Sequence, residues 1–166
     1  YTCIISDAQG CYDTVSYNLS QPEDLIVSAY VVNPIDCFGE NTGKLKAEAQ
    51  GGNTPPPYTY LWNNGVTLSN NNNLLSGSYV VIATDNKGCT DTTEILLTEP
   101  TNLTVSVTEI DVSCYGYDDG EITATVTGGT PEPGIPPTYY YLWNDANAQT
   151  TQTASSLSPN IYYVIV

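Results

Sequence analysis

The sequence predicts an all-β protein built from tandem repeats of about 80 residues. Three observations carry that prediction. The string YTCIISDAQGCYDT at residues 1–14 returns as YVVIATDNKGCTDT at 79–92, with Tyr1, Asp7, Gly10, Cys11, Asp13 and Thr14 recurring at a constant offset of 78. Apolar residues recur with a period of two, the strand period, and no segment carries a helical stripe. Clusters of Gly, Pro and Asn separate the alternating runs at short intervals, as turns do.

Taken in chain order, Val15, Tyr17 and Leu19 form an alternating run that Thr93, Ile95 and Leu97 echo one repeat later. Residues 1–21 therefore read as the C-terminal strands of a preceding repeat. Leu25, Val27 and Ala29 alternate with Ile26, Ser28 and Tyr30 (strand A, about 25–32). Leu45, Ala47 and Ala49 alternate with Lys44, Lys46 and Glu48 (strand B, 44–50). Tyr58, Tyr60 and Trp62 mark strand C (58–63), Leu74 a short strand E, Tyr79, Val81 and Ala83 strand F (78–84), and Thr93, Ile95 and Leu97 strand G (90–98). The DNKG string between F and G is a hairpin turn, with Gly88 free to take a positive φ. Residues 22–100 thus form one complete repeat. Residues 101–166 read as a third repeat truncated before its last hairpin: Leu103, Val105 and Val107 match strand A, Ile122, Ala124 and Val126 match strand B, and YYYLWN at 139–144 matches YTYLWN at 58–63. The offset changes only in the Pro-rich stretch before strand C and in the stretch after the Trp, which marks both as surface loops. Six or seven short strands in about 80 residues, with a Trp on the third, read as an immunoglobulin-like β-sandwich. Tyr1 two residues before Cys3 resembles the tyrosine-corner pattern of that fold. Val81 and Val164 stand where Cys3 does, so Cys3 is expected in one domain's core and outside the common plan.

Composition narrows the function. Eighteen acidic residues stand against three Lys and no Arg, a net charge of −15. Three Lys are too few to neutralise many phosphates, which argues against nucleic-acid binding and disfavours attachment to an anionic membrane. No run of about 18 apolar residues is present to span a bilayer, and neither an initiating Met nor a signal peptide opens the sequence. The chain reads as a segment of a longer polypeptide. The absence of His removes the commonest general base, the His-activated nucleophiles and most zinc sites. Five Cys in a Thr-, Asn- and Gly-rich acidic chain, none spaced CxxC, fit an oxidising extracellular setting. Glycoside hydrolysis needs only two carboxylates, yet acidic residues confined to the turns of a sandwich offer no pocket to hold them, so the chain is read as a non-enzyme without a cofactor.

The ordered series C-x-G-x-x-x-G, GGTP…PYTYLW, L-x-G-x-Y and D-x-x-G-C-T-D resembles the SprB-type repeat of giant gliding-motility adhesins and related surface proteins of the Bacteroidetes. The resemblance covers essentially the whole chain. It implies immunoglobulin-like or PKD-like modules, export by type IX secretion and display at the cell surface. The chain departs from the pattern in its longer Pro-rich loop and in LSPNIYY, where LSGSY is expected. The reading is a structural stalk or adhesive segment of a secreted surface adhesin, whose partners are neighbouring repeats and, at its ends, a surface polysaccharide or other surface ligand. The alternative is a carbohydrate-binding module of a secreted polysaccharide-degrading protein.

Four sets of residues are candidates for chemistry. Each repeat has one Cys before strand B (Cys37, Cys114) and one at the F–G turn (Cys11, Cys89). A pairing of Cys37 with Cys89 inside the repeat and a pairing of each A–B Cys with the F–G Cys of the following repeat both stay open. The second is favoured by topology, since a strand of about seven residues separates the two ends by over 20 Å. Asp118, Asp119 and Glu121 in YDDGE are the best local candidates for calcium, against a reading as solvated turn carboxylates. Thr14 and Thr92, in DTV and DTT, fit the O-glycosylation pattern that the resemblance implies, against ordinary strand Thr. Tyr140, in the Tyr139–Tyr141 run, is a candidate sugar-stacking residue, against a core role for its alternating neighbours.

Overall fold

The computed structural model describes residues 1–53, 57–131 and 138–166. The Pro-rich stretches 54–56 and 132–137, in the loop before the Trp strand where the repeats differ in length, lie outside the described residues. Among the described residues there are thirteen strands and no helix. In chain order they are β1 (Thr2–Ser6), β2 (Tyr12–Ser16), β3 (Glu23–Asn33), β4 (Gly43–Gly52), β5 (Thr59–Trp62), β6 (Asn70–Leu74), β7 (Gly77–Thr84), β8 (Thr90–Leu97), β9 (Thr101–Ile110), β10 (Gly120–Gly129), β11 (Leu142–Trp143), β12 (Thr153–Leu157) and β13 (Val164–Ile165).

The strands form five small sheets, ordered β1-β2, β3-β4-β6, β5-β7-β8, β9-β10-β12 and β11-β13. Their order repeats as the sequence does: β9, β10 and β12 match β3, β4 and β6, while β11 and β13 match β5 and β7. The pair β1-β2 runs antiparallel from Thr2↔Ser16 to Ser6↔Tyr12 and corresponds to β7-β8. The chain divides into two compact units. The first comprises Tyr1–Tyr30, Ala47–Ser69 and Tyr79–Ile95; the second comprises Val31–Lys46, Asn70–Ser78 and Leu96–Val166.

The first unit buries Val27, Ala47, Trp62, Val81 and Ala83, the inward positions of the period-two pattern. In the second unit, Ile35, Leu45, Leu74 and Leu97 are buried, as are Ala124, Trp143, Ala154 and Leu157. These last four form one core, with Ile122, Tyr141, Tyr162 and Val164 packed against it. That core lies between the β9-β10-β12 sheet and the β11-β13 sheet, the two layers of a sandwich.

Two strand faces stand open for one physical reason. Leu103, Val105 and Val107 alternate on β9 as predicted, but all three are exposed, at 43%, 48% and 51%. The β11-β13 sheet has two strands where the matching β5-β7-β8 sheet has three. Cys3, expected in a core, is exposed on β1. A two-stranded pair buries neither face unless a second layer covers it. A third feature went unread. Asn73 (φ +57°) and Ser156 (φ +57°) take the left-handed conformation at matching positions of β6 and β12, where the pairing with β4 and β10 shifts register. A strand made of four Asn and a Leu gives no apolar alternation, so only Leu74 signalled it.

Candidate functional site

The residues that repeat are the natural place to look for a site. The D-x-x-G-C turn between β7 and β8 is closed by the Asp85 N–H donating to the Cys89 carbonyl (2.9 Å) and the Gly88 N–H to the Asp85 carbonyl (3.2 Å), with Gly88 at φ +88°. The Asp85 carboxylate then accepts four bonds. Its Oδ1 receives the N–H groups of Lys87 (2.8 Å) and Cys89 (2.9 Å), and its Oδ2 those of the Asn53 backbone (2.7 Å) and side-chain amide (2.9 Å). These donors, the Asn53 backbone N–H first, hold its pKa far below the usual carboxylate range, against the opposing pull of desolvation. The turn between β1 and β2 is the same device: Asp7 Oδ1 accepts from Gln9 N–H (2.8 Å) and Cys11 N–H (2.9 Å), with Gly10 at φ +86°.

The double glycine at the end of β4 serves packing. Gly51 (φ +78°) has the Asp24 carbonyl oxygen 1.9 Å from where a Cβ would sit, and Gly128 (φ +79°) has the Asn102 carbonyl oxygen at 2.0 Å. The Tyr58 hydroxyl donates to the Gly51 carbonyl (2.8 Å) and Tyr139 to that of Gly128 (2.9 Å). Each buried Trp donates its indole N–H to a loop carbonyl at 2.9 Å, Trp62 to Leu68 and Trp143 to Thr151. In the loop after β3, Gly39 (φ +76°) donates its N–H to Glu99 Oε2 at 2.7 Å. Tyr162 donates its hydroxyl to the Ser158 carbonyl at 2.8 Å, the bond a tyrosine corner makes. The motif residues therefore hold backbone in place.

The predicted sites fall as follows. Cys3, Cys11, Cys37, Cys89 and Cys114 are free and exposed. Cys89 Sγ lies 3.5 Å from Asn53 Nδ2, just past the end of β4, and Cys37 stands in the loop that precedes β4. Thr14 on β2 and Thr92 on β8 both face solvent. Asp118, Asp119 and Glu121 are exposed, and Asp119 is engaged: it accepts the Ser113 hydroxyl (2.5 Å) and N–H (2.9 Å), which lower its pKa. Among the described residues no three His, Cys, Asp or Glu side chains come together as metal ligands do. Asp145, unremarked in the sequence, caps its own turn by accepting from Gln149 and Asn147, and its pKa is lowered, chiefly by the Gln149 N–H. Tyr140 is 75% exposed and lines a groove of about 440 Å³ with Cys37, Phe38, Pro100, Leu103 and Val166, all in the second unit.

No curated protein and no solved structure matches the chain. The sequence profile of the SprB repeat matches it twice, at residues 29–67 and 104–148, together just over half of its length. Both matched segments contain the glycine pair, the Tyr that donates to it and the Trp strand, the features the two copies build alike. Matched in sequence over these stretches and alike in their internal geometry, the two copies show that the chain belongs to the SprB repeat family.

Proposed function

We propose that this chain is a structural segment of a secreted bacterial surface adhesin, an array of immunoglobulin-like modules that gives reach to a distal contact. The complete repeat spans 22–100, flanked by the C-terminal strands of one neighbour (1–21) and the first strands of another (101–166). The observation that carries the reading is the use of the repeated residues. Asp85, the Gly51–Gly52 pair, Tyr58, Trp62 and their counterparts are bound to the chain's own backbone. A motif so engaged encodes a module, and repetition of modules encodes length. The strand orders β3-β4-β6 and β5-β7-β8 and the Tyr162 bond support the immunoglobulin-like assignment. Exposed apolar faces on β9 and on the β1-β2 pair support repeats completed by further strands. Such an array lies outside the cell, exported by type IX secretion with O-glycans on Thr14 and Thr92, in a protein serving gliding or attachment, a reading that the family resemblance supports.

Pulling the parent polypeptide end to end tests this. The expected record is a series of equal unfolding steps, each releasing about 25 nm for about 80 residues. A single large step, or unequal ones, overturns the array. A carbohydrate-binding module is the second reading, favoured by Tyr140 and Phe38 (54% exposed) beside one groove. Saturable binding of surface-polysaccharide fragments, lost in Tyr140→Ala, selects it; a stalk shows none.

A further inference from the structure

The groove that holds Cys37 has a counterpart in the first unit, built on matching residues. The counterpart is lined by Pro22, Leu25 and Gly52, which match Pro100, Leu103 and Gly129 of the first groove by the sequence repeat. Against Pro22, Leu25 and Gly52 lie Cys89, Thr90 and Asp91, the end of the D-x-x-G-C-T turn, with Asp91 Oδ2 accepting the Val27 N–H at 2.8 Å. Against Pro100, Leu103 and Gly129, among the described residues, stand Cys37 and Phe38 with Tyr139, Tyr140 and Val166 in place of such a turn. One seat thus holds a turn cysteine, and the matching seat faces a loop cysteine.

The course of the chain says what fills the second seat. Val166 lines the groove with Cys37, and by the repeat it matches Ala83, two residues before Asp85. A turn of the same kind would place its Cys about six residues beyond Val166. The strand after that turn, matching β8, would lie over Leu103, Val105 and Val107, the face left exposed on β9. In the first unit the corresponding Val27 is buried beneath Asp91.

We infer that the groove between Cys37 and Leu103 is the seat of the D-x-x-G-C-T turn of the following repeat, and that Cys37 forms a disulfide with that turn's cysteine. The inference rests on the array reading above. By the same rule Cys89 bonds the loop cysteine of the preceding repeat, and Cys37 and Cys89 do not bond each other. Each bond joins two thiols whose protons and two electrons pass to a disulfide oxidant of the extracytoplasmic space, by thiol–disulfide exchange, which leaves that oxidant as two thiols. Glu99 holds the Cys37 loop ready from the linker side through the Gly39 N–H.

The test uses the parent polypeptide isolated from its own cells without reductant, with free thiols alkylated at lysis and the product digested by a chymotrypsin-type protease. The expected result is a cross-linked pair joining the Cys37 peptide to a D-x-x-G-C peptide that follows Val166, released in equal amounts by reduction. Alkylated Cys37 recovered beside an alkylated turn peptide overturns the bond and leaves the array standing. A Cys37–Cys89 pair also overturns it. A polypeptide with no such turn after Val166 overturns both the bond and the array reading.

Discussion

Asp85 and Asp7 occupy the same place in the same turn, yet Asp85 takes two further bonds from Asn53. Four donors on one carboxylate make the β7–β8 turn depend on the charge of Asp85. A carboxylate whose folded pKa is lowered contributes stability that is complete above its unfolded value, near 3.9, and fades as pH falls below it toward the folded value. Melting temperature is therefore expected to drop on acidification below about pH 4. In Asp85→Asn the melting temperature at pH 7 is lower than in the parent, and its fall between about pH 4 and pH 2 is shallower, because the Asn amide keeps an acceptor but no titrating charge. Thermal melts of the two proteins across that range check both halves. Equal slopes would mean that the four donors do not act on Asp85 as the geometry says.

At the scale of the element, the end of β4 depends on Gly51 for two reasons at once. Its φ of +78° is unfavourable for any residue with a Cβ, and the Asp24 carbonyl oxygen occupies the space that Cβ would need. Gly65 shares the first property, with φ +87°, but nothing lies within 4 Å of its Cβ position. Gly65→Ala is expected to cost about 1 kcal/mol and Gly51→Ala more than about 2 kcal/mol, read as shifts in denaturant midpoint at constant slope. Equal shifts would mean that β3 moves away from the added methyl at no cost. Strands β3, β4, β5, β7 and β8 were legible because alternation reports burial on one face: Leu45 and Ala47 are buried, and Lys44 and Glu48 are exposed. Alternation reports which face can be buried and leaves open what covers it, so Leu103, Val105 and Val107 followed the pattern and stand exposed. The β6 and β12 bulges had no apolar signal to give. Of the candidate sites, the sequence marked Asp118, Asp119 and Glu121 but not the donors folded onto Asp119. Asp119, a calcium candidate in the sequence, accepts from the Ser113 hydroxyl and N–H in the structure.

For the whole molecule the governing quantity is charge, −15 at pH 7 with a calculated isoelectric point near 4.1. Copies of such a chain repel one another at neutral pH. Light scattering across a pH series is expected to show association peaking near pH 4.1 and falling away above pH 6. Association that persists at pH 7 in moderate salt would point to contacts between chains that overcome the repulsion. The same scarcity of cations has a consequence for digestion. A trypsin-like protease has only Lys44, Lys46 and Lys87 to cut after. Lys44 and Lys46 lie in β4, the middle strand of its sheet, where no extended segment can be drawn into a protease cleft. Lys87 is exposed in the turn that Asp85 fastens. Limited trypsin treatment of the native chain is expected to stop at one nick after Lys87, and a rod built of such repeats would persist among secreted proteases of that specificity.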